Sequence, residues 1–308
     1  MAIPAISPYK MPKASDLPKN KVSWMPHPKR AVLLIHDMQQ YFIDAYTRGE
    51  SPVTELLPNI NMLKEQCKEL GIPVIYTAQP GGQTPEERGL LQDFWGPGIP
   101  PGPDQQKIVE ELKPDEGDTV LTKWRYNAFR KTDLLRLLQE QGRDQLIITG
   151  VYAHIGCLMT ACDAFMQEIE TFFVADAVAD FSLQHHEMAI SYAADRCAVT
   201  VTAEHLLNEL KNGRNDDGGQ EGGELLSKQT IREQIAALLL ESPDDIIDSE
   251  NLIHRGLDSV RMMSLTERWR RAGAEVTFVE LAEEPTIENW WRLLSSSKET
   301  SLPNSDYQ

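Results

Sequence analysis

The stretch GVYAHIGCLMT (150–160) puts Cys157 a few residues past an apolar run and a glycine. A thiol at the turn from a strand into a helix can attack a carbonyl carbon, provided that it ionises. Four other reactive types stand where strands are expected to end: Asp37, Gln79, Lys123 and Tyr152, the last preceded by Val151. A carboxylate beside a lysine can move a proton, while an amide and a phenol can hold the polar groups of a small molecule. Each alone could be an ordinary cap or turn residue. Converging on one sheet edge, they specify a small-molecule site of hydrolytic character, and residue types alone go no further.

Strands and helices must bring these residues together. Apolar, β-rich runs predict strands over 31–37, 72–80, 119–124, 144–152, 171–179 and 197–202. Apolar residues three and four apart predict helices over 53–71, 131–142, 157–169 and 184–195. Nearly continuous apolar strands alternating with amphipathic helices imply the α/β class, a doubly wound parallel sheet. Ligands bind beyond the carboxyl ends of such strands, where Asp37, Gln79, Lys123 and Tyr152 fall. No glycine-rich phosphate loop follows the first strand, so nothing supports dinucleotide binding.

At 308 residues the chain is long for one domain; it is 41% hydrophobic and 25% charged, as folded globular chains are. A formal net charge of −17 argues against nucleic-acid binding. No apolar run approaches the roughly 18 residues of a membrane span, and the Pro-rich amino end lacks the apolar core of a signal peptide. Four cysteines, Cys67, Cys157, Cys162 and Cys197, fit reduced thiols in the cytoplasm. Residues 211–224, KNGRNDDGGQEGGE, hold five glycines and no apolar residue. They read as a flexible linker between a domain over 1–210 and a second over 225–297, with a disordered tail over 298–308.

The motifs IHDMQ (35–39), YTAQP (76–80), LLQDFWGPG (90–98), KWRYNAF (123–129) and GVYAHIGC (150–157), met in this order, resemble those of the isochorismatase-like hydrolases. The resemblance spans nearly all of residues 20–210 and implies their fold. Many members hydrolyse amides with an Asp, a Lys and a Cys. Laid on that pattern, Asp37 and Lys123 take the first two positions and Gly156 takes the nucleophile's. Cys157 falls one residue late, about 100° further round a helix, and is expected to be a small buried packing residue. Metal-dependent relatives carry a D-x-H zinc pair soon after the first strand. Here Asp44 is followed by AYTRGE, and no histidine occurs between His36 and His154, so no metal is expected.

An acid and a lysine without a nucleophile match the isochorismatases proper. These cleave the enol ether of isochorismate to pyruvate and 2,3-dihydro-2,3-dihydroxybenzoate. The resemblance implies Asp37 as general acid toward the vinyl carbon. Lys123 orients either a substrate carboxylate or the ether oxygen, and both remain open. Phe42, Gln79, Arg88, Trp95, Val151, Tyr152 and Gly156 take substrate-binding positions, with a cis Val151–Tyr152 peptide. Asp has a reference pKa of about 3.9, so protonating it near neutral pH costs about 4 kcal/mol, which burial and the substrate's two carboxylates must offset. His36 reads as packing beside the first strand, and His185 and His186 as exposed residues at a helix start.

The second domain is short, acidic and helical, with helices over 226–241, 259–271 and near 285–295. GLDSV (256–260) resembles the phosphopantetheine attachment site of acyl, peptidyl and aryl carrier proteins. That implies an all-α helix bundle bearing 4'-phosphopantetheine on Ser259, at a helix start whose free N–H groups favour a phosphate. Met262, Leu265 and Trp269 form the core stripe, with Met263 off it. Trp290 and Trp291 read as core and edge of a final helix. Related aryl carriers dock the condensation partner on an apolar face near the serine, where Phe278 and Ala282 take the downstream positions beside Met263.

A hydrolase joined to such a carrier resembles the bifunctional isochorismatase/aryl carrier proteins of catecholate siderophore pathways. The implied partners are isochorismate, a 2,3-dihydroxybenzoate-activating ligase, a phosphopantetheinyl transferase and the condensation domain of a non-ribosomal synthetase. The expected assembly is a cytoplasmic homodimer that binds neither nucleic acid nor membrane. Two alternatives stay open: a cysteine amidase of the same superfamily using Cys157 after a register shift, and an inactive hydrolase that only presents the carrier.

Overall fold

The computed structural model describes residues 3–217, 227–239, 241–271, 274 and 276–296. The chain divides into two units, Met1–Gly218 and Gly219–Gln308. The first is built on β1 (Ala31–His36), β2 (Val74–Ala78), β3 (Thr119–Thr122), β4 (Gln145–Val151), β5 (Glu170–Ala179) and β6 (Val199–Val201). They form one sheet in the order β3-β2-β1-β4-β5-β6, with every pairing parallel. The crossovers carry α1 (Val53–Glu69), α2 (Leu134–Glu140), α3 (Leu158–Met166) and α4 (Leu183–Arg196), and α5 (Ala203–Asp217) follows the last strand.

Successive strand residues point to opposite faces, and the core divides accordingly. Leu33, Ile35, Ile147 and Phe172 pack with Leu56, Ile60 and Leu63 of α1 and Leu206 and Leu210 of α5. Val32, Leu34, Ile148 and Phe173 pack on the other face with Leu134 and Leu138 of α2, Leu158 and Ala161 of α3, and Ile190 of α4. This is the doubly wound parallel sheet that the periodicity predicts. Strands β1 and β4 are neighbours from which the chain departs in opposite directions, and the crevice between them is the natural ligand site. Their ends approach closely: Gly150 has φ +107°, and a Cβ on it would lie 2.1 Å from the His36 carbonyl oxygen. No other residue type fits there.

Two expectations are corrected. Helix α5 runs to Asp217, seven residues into the segment read as a linker. A Cβ on Gly213 would lie 3.5 Å from both Pro26 O and Pro28 Cδ, so the helix continues over the 26–28 segment despite its weak local propensity. The rest of that segment, like the tail over 298–308, lies outside the described residues. His186 is buried, not exposed. It lies on the inner side of α4, where its Nε2–H donates to Ala175 O at 2.9 Å and burial lowers its pKa to about 4. His185 is exposed as expected.

The second unit holds α6 (Lys228–Leu239), α7 (Ser259–Arg271), α8 (Phe278–Glu283) and α9 (Ile287–Ser296). Its core joins Ile231 and Ile235 to Met262, Leu265, Trp269 and Trp290. The two indoles meet edge to face at 5.4 Å, and each N–H is satisfied, Trp269 by Gln234 Oε1 and Trp290 by Leu281 O, both at 2.8 Å. Trp291 is half-buried. Among the described residues no helix is long and apolar enough to cross a membrane. All four cysteines are free.

Candidate active site

The polar groups of the site hang from four strand ends, with Asp37 after β1, Gln79 after β2, Lys123 after β3 and Tyr152 after β4. Asp37 follows β1 with φ +50°, a left-handed turn that an aspartate tolerates better than most residues. Its N–H donates to Thr77 O and Oγ1 at 3.2 and 3.1 Å. The carboxylate is buried and saturated: Thr77 Oγ1 donates to Oδ1 at 2.7 Å, and Gln79 Nε2 and Lys123 Nζ reach Oδ2 at 2.8 and 2.9 Å. Burial works to raise the pKa of Asp37. Lys123, His36, Gln79 and Thr77 outweigh it and hold the carboxyl below the usual range. Asp37 is therefore ionised at neutral pH. Lys123, just past β3, also donates to Arg125 O at 2.6 Å and Tyr126 O at 3.3 Å. An ammonium has three N–H groups, so each has an acceptor within the protein.

All nine residues assigned to catalysis or substrate binding line one open cavity, whose envelope of about 590 Å³ includes solvent at its mouth. Arg88 comes from a short helical turn, Pro85–Arg88, and its Nε donates to Gly96 O. Trp95 ends the next turn, Leu91–Trp95, and its Nε1 donates to the Tyr126 hydroxyl. Aromatic rings build one wall: Trp95 stacks on Phe181 at 5.9 Å, Phe181 on Tyr152 at 4.2 Å, and Phe42 meets Tyr152 edge-on. The Val151–Tyr152 peptide is cis.

The same lining contains residues that sequence reasoning missed: Ile3, His36, Tyr41, Arg125, Tyr126 and Phe181. Arg125 and Tyr126 stood inside the quoted KWRYNAF and were within reach. Ile3 had no local signal. The chain brings it to the cavity along a path fixed at Ile6, whose N–H donates to Ala45 O at 2.7 Å, and at Tyr9, whose hydroxyl accepts the Asp180 N–H at 2.8 Å. Arg88, Arg125 and Lys123 face one carboxylate, so the lining carries two uncompensated positive charges.

Cys157 is outside this lining. Residues Ala153–Cys157 form a π-type turn rather than the start of the α-helix, with the Cys157 N–H donating to Tyr152 O. Gly156 faces the cavity, while Cys157 is fully buried with Leu158 and Ala161. Burial above all, then the charges of Asp37 and Asp180, raises its pKa well above the ordinary thiol value. A buried thiol that stays protonated is inert. Cys157→Ala should keep about a third or more of native turnover. A loss of about a thousandfold in folded protein would restore the thiol to the mechanism.

His154, Asp180 and His185 bring ligand-type atoms within 4.8 Å of one another. Their arrangement does not suit a metal. The two imidazoles stack at 4.4 Å and 14°, so their in-plane lone pairs run side by side, and the Asp180 oxygens already accept the N–H groups of His154 and Phe181.

The isochorismatase domain profile matches residues 31–205. The chain belongs to the isochorismatase family. A phosphopantetheine attachment site profile matches residues 229–294. The chain is 61% identical over 313 aligned positions to the isochorismatase of Bacillus subtilis (strain 168), covering 100% of both. It is 50% identical over 295 positions to enterobactin synthase component B of Escherichia coli (strain K12), covering 96% of this chain and 99% of that one. A solved cysteine hydrolase from Pseudomonas syringae pv. phaseolicola 1448A superposes with a TM-score of 0.58 at 19% identity, over 62% of this chain and 97% of that one, and shares the fold.

In the carrier domain Ser259 is exposed and opens α7. The cap of that helix is its neighbour: the Asp258 carboxylate accepts the Arg261 N–H at 2.9 Å. The serine hydroxyl is thus left for modification, and an exposed serine at a helix N-terminus fits a phosphodiester-linked arm.

Proposed function

We propose that the isochorismatase domain hydrolyses the enol ether of isochorismate with Asp37 as general acid, and that the carrier domain holds 2,3-dihydroxybenzoate on a phosphopantetheine arm at Ser259. The observation that carries the first half is the Asp37–Lys123 pair in a cavity with two spare positive charges and no ionisable thiol. A dianionic substrate matches that charge. It also supplies the proton's driving force. A substrate carboxylate about 6 Å from Asp37 contributes about 3 kcal/mol of repulsion at an effective dielectric near 20, so two such groups make the ionised form of Asp37 unfavourable. Asp37 then takes up a proton as substrate binds.

Asp37 delivers that proton to the vinyl CH₂ carbon, and its O–H bond breaks as the C–H bond forms. Positive charge develops at the ether-bearing carbon and is shared with the oxygen. Water adds to that carbon and returns a proton to the Asp37 carboxylate; the hemiketal then collapses, its C–O bond to the ring-borne oxygen breaking as the hydroxyl proton passes to that oxygen, to give pyruvate and the diol. Lys123, with its donors already engaged, serves Asp37 rather than the substrate. Arg88, Arg125 and Gln79 take the substrate's anionic and hydroxyl groups, and the Trp95–Phe181–Tyr152 wall faces its ring. Purified protein incubated with isochorismate should release pyruvate stoichiometrically. Binding without release would leave only the carrier role.

The arm at Ser259 supplies a thiol that holds an aryl group as a thioester. The diol is oxidised elsewhere, a separate ligase loads the aryl acid, and a condensation domain of a non-ribosomal synthetase takes it onward for siderophore assembly. The chain acts in the cytoplasm, as a homodimer. Met263 is 59% exposed, while Met262, Leu265 and Trp269 of the same helix are buried. With half-buried Phe278 and Ala282, it forms the docking patch for the condensation partner. Met263→Asp should slow aryl transfer about tenfold and leave pyruvate release and arm attachment near native, in a stepwise assay with loaded carrier. Unchanged transfer would exclude Met263 from docking.

A further inference from the structure

His36 is 1% exposed at the end of β1 and takes no part in the proton transfer above. Its imidazole is held on three sides. Nδ1 lies 2.8 Å from Val151 O; a carbonyl only accepts, so the ring proton belongs on Nδ1. Nε2 faces Tyr126 O at 3.3 Å, the same carbonyl that receives Lys123 Nζ. The third side is Gly156. A Cβ there would stand 2.2 Å from Cε1, 2.8 Å from Nε2 and 3.1 Å from Nδ1. The ring thus occupies the space of any side chain at 156. Burial lowers its pKa, against the pull of Asp37, whose Oδ1 is 3.9 Å from Nδ1. It is a wedge between the carbonyl of the cis peptide and the loop that carries Lys123.

We propose that His36 is a positioning residue: locked against Gly156, its imidazole spaces the Val151 carbonyl from the 123–126 loop and so keeps Lys123 on Asp37. This rests on the assignment of Asp37 and Lys123 as the proton-transfer pair. Volume and hydrogen bonding separate by substitution. His36→Leu refills the space but cannot donate to Val151 O. His36→Asn keeps an N–H near the place of Nδ1 and removes Cε1 and Nε2.

Turnover of isochorismate by His36→Leu should fall about 100-fold in kcat, with KM within about threefold of native, since misplacement of about 1 Å costs that much. His36→Asn should stay within about fivefold of native. Gly156→Ala should lose about 100-fold in kcat and about 5 °C in Tm through overpacking. The double variant H36N/G156A should recover the kcat and Tm of His36→Asn, because the atoms that met the new methyl are gone. Native kcat in His36→Leu, a harmless Gly156→Ala, or simply additive losses in the double variant would each overturn the proposal. If His36→Leu fails to fold, the Asn and Ala cycle decides by itself. Asp37→Asn, measured alongside, separates the two assignments. Turnover surviving in it sinks the role of Asp37, whereas a dead Asp37→Asn beside an additive cycle sinks only His36.

Discussion

Asp37→Ala should lower pyruvate release from isochorismate by about a thousandfold or more, the scale of a lost general acid on an unactivated carbon. Its fold needs a control, because the deletion strands the Lys123 ammonium without its carboxylate, and breaking a buried pair costs about 3–5 kcal/mol. Asp37→Asn keeps an acceptor for Thr77 while removing the acid. Its amide leaves Lys123 without a carboxylate and turns an NH₂ toward Lys123 and Gln79, so its Tm should fall; it should still fold and load its carrier at the assay temperature, and fail to release pyruvate. The pH dependence of the native protein follows from the same geometry. The pKa of free Asp37 lies below the ordinary carboxylate range. Above it, the protonated fraction falls tenfold for each pH unit, so kcat/KM should decline as pH rises through neutrality. Near-native turnover in Asp37→Asn, or a kcat/KM flat with pH, would remove Asp37 from its role.

Ser259→Ala should abolish attachment of the phosphopantetheine arm, and with it all aryl loading, while pyruvate release stays within about twofold of native. The helix should survive, since its cap is Asp258 and alanine is a good helix former. Hydrolysis should survive because Ser259 belongs to a unit with its own tryptophan-centred core. Intact-mass measurement after treatment with a phosphopantetheinyl transferase reads the first outcome, and pyruvate release the second. An arm found on another residue, or hydrolysis lost with the serine, would contradict the division of labour.

How much of this was legible depends on range along the chain. Strands and long helices declare themselves through local periodicity, and the strand-end rule then locates Asp37, Gln79, Lys123 and Tyr152. Arg88 and Trp95 sit on turns of four and five residues, too short for any periodic signal, and were placed through motif resemblance alone. The burial of His186, the run of α5 past Gly213 and the wedge of His36 against Gly156 all depend on partners distant in sequence. The π-type turn at 153–157 was equally invisible, because α and π winding share the same residue types. Asp258 and Ser259 are both good caps, so only coordinates divide the two roles.

The path of residues 3–9 makes the amino end of the chain a kinetic variable. Ile3 is part of the cavity lining, and the hydrogen bonds at Ile6 and Tyr9 leave it little slack. A substitution at Ile3 therefore alters the lining that holds Asp37, although the two residues are far apart in the chain. Rate constants measured on proteins that differ only at Ile3 need not agree, and the amino end is a place to tune the hydrolase without touching its proton-transfer pair.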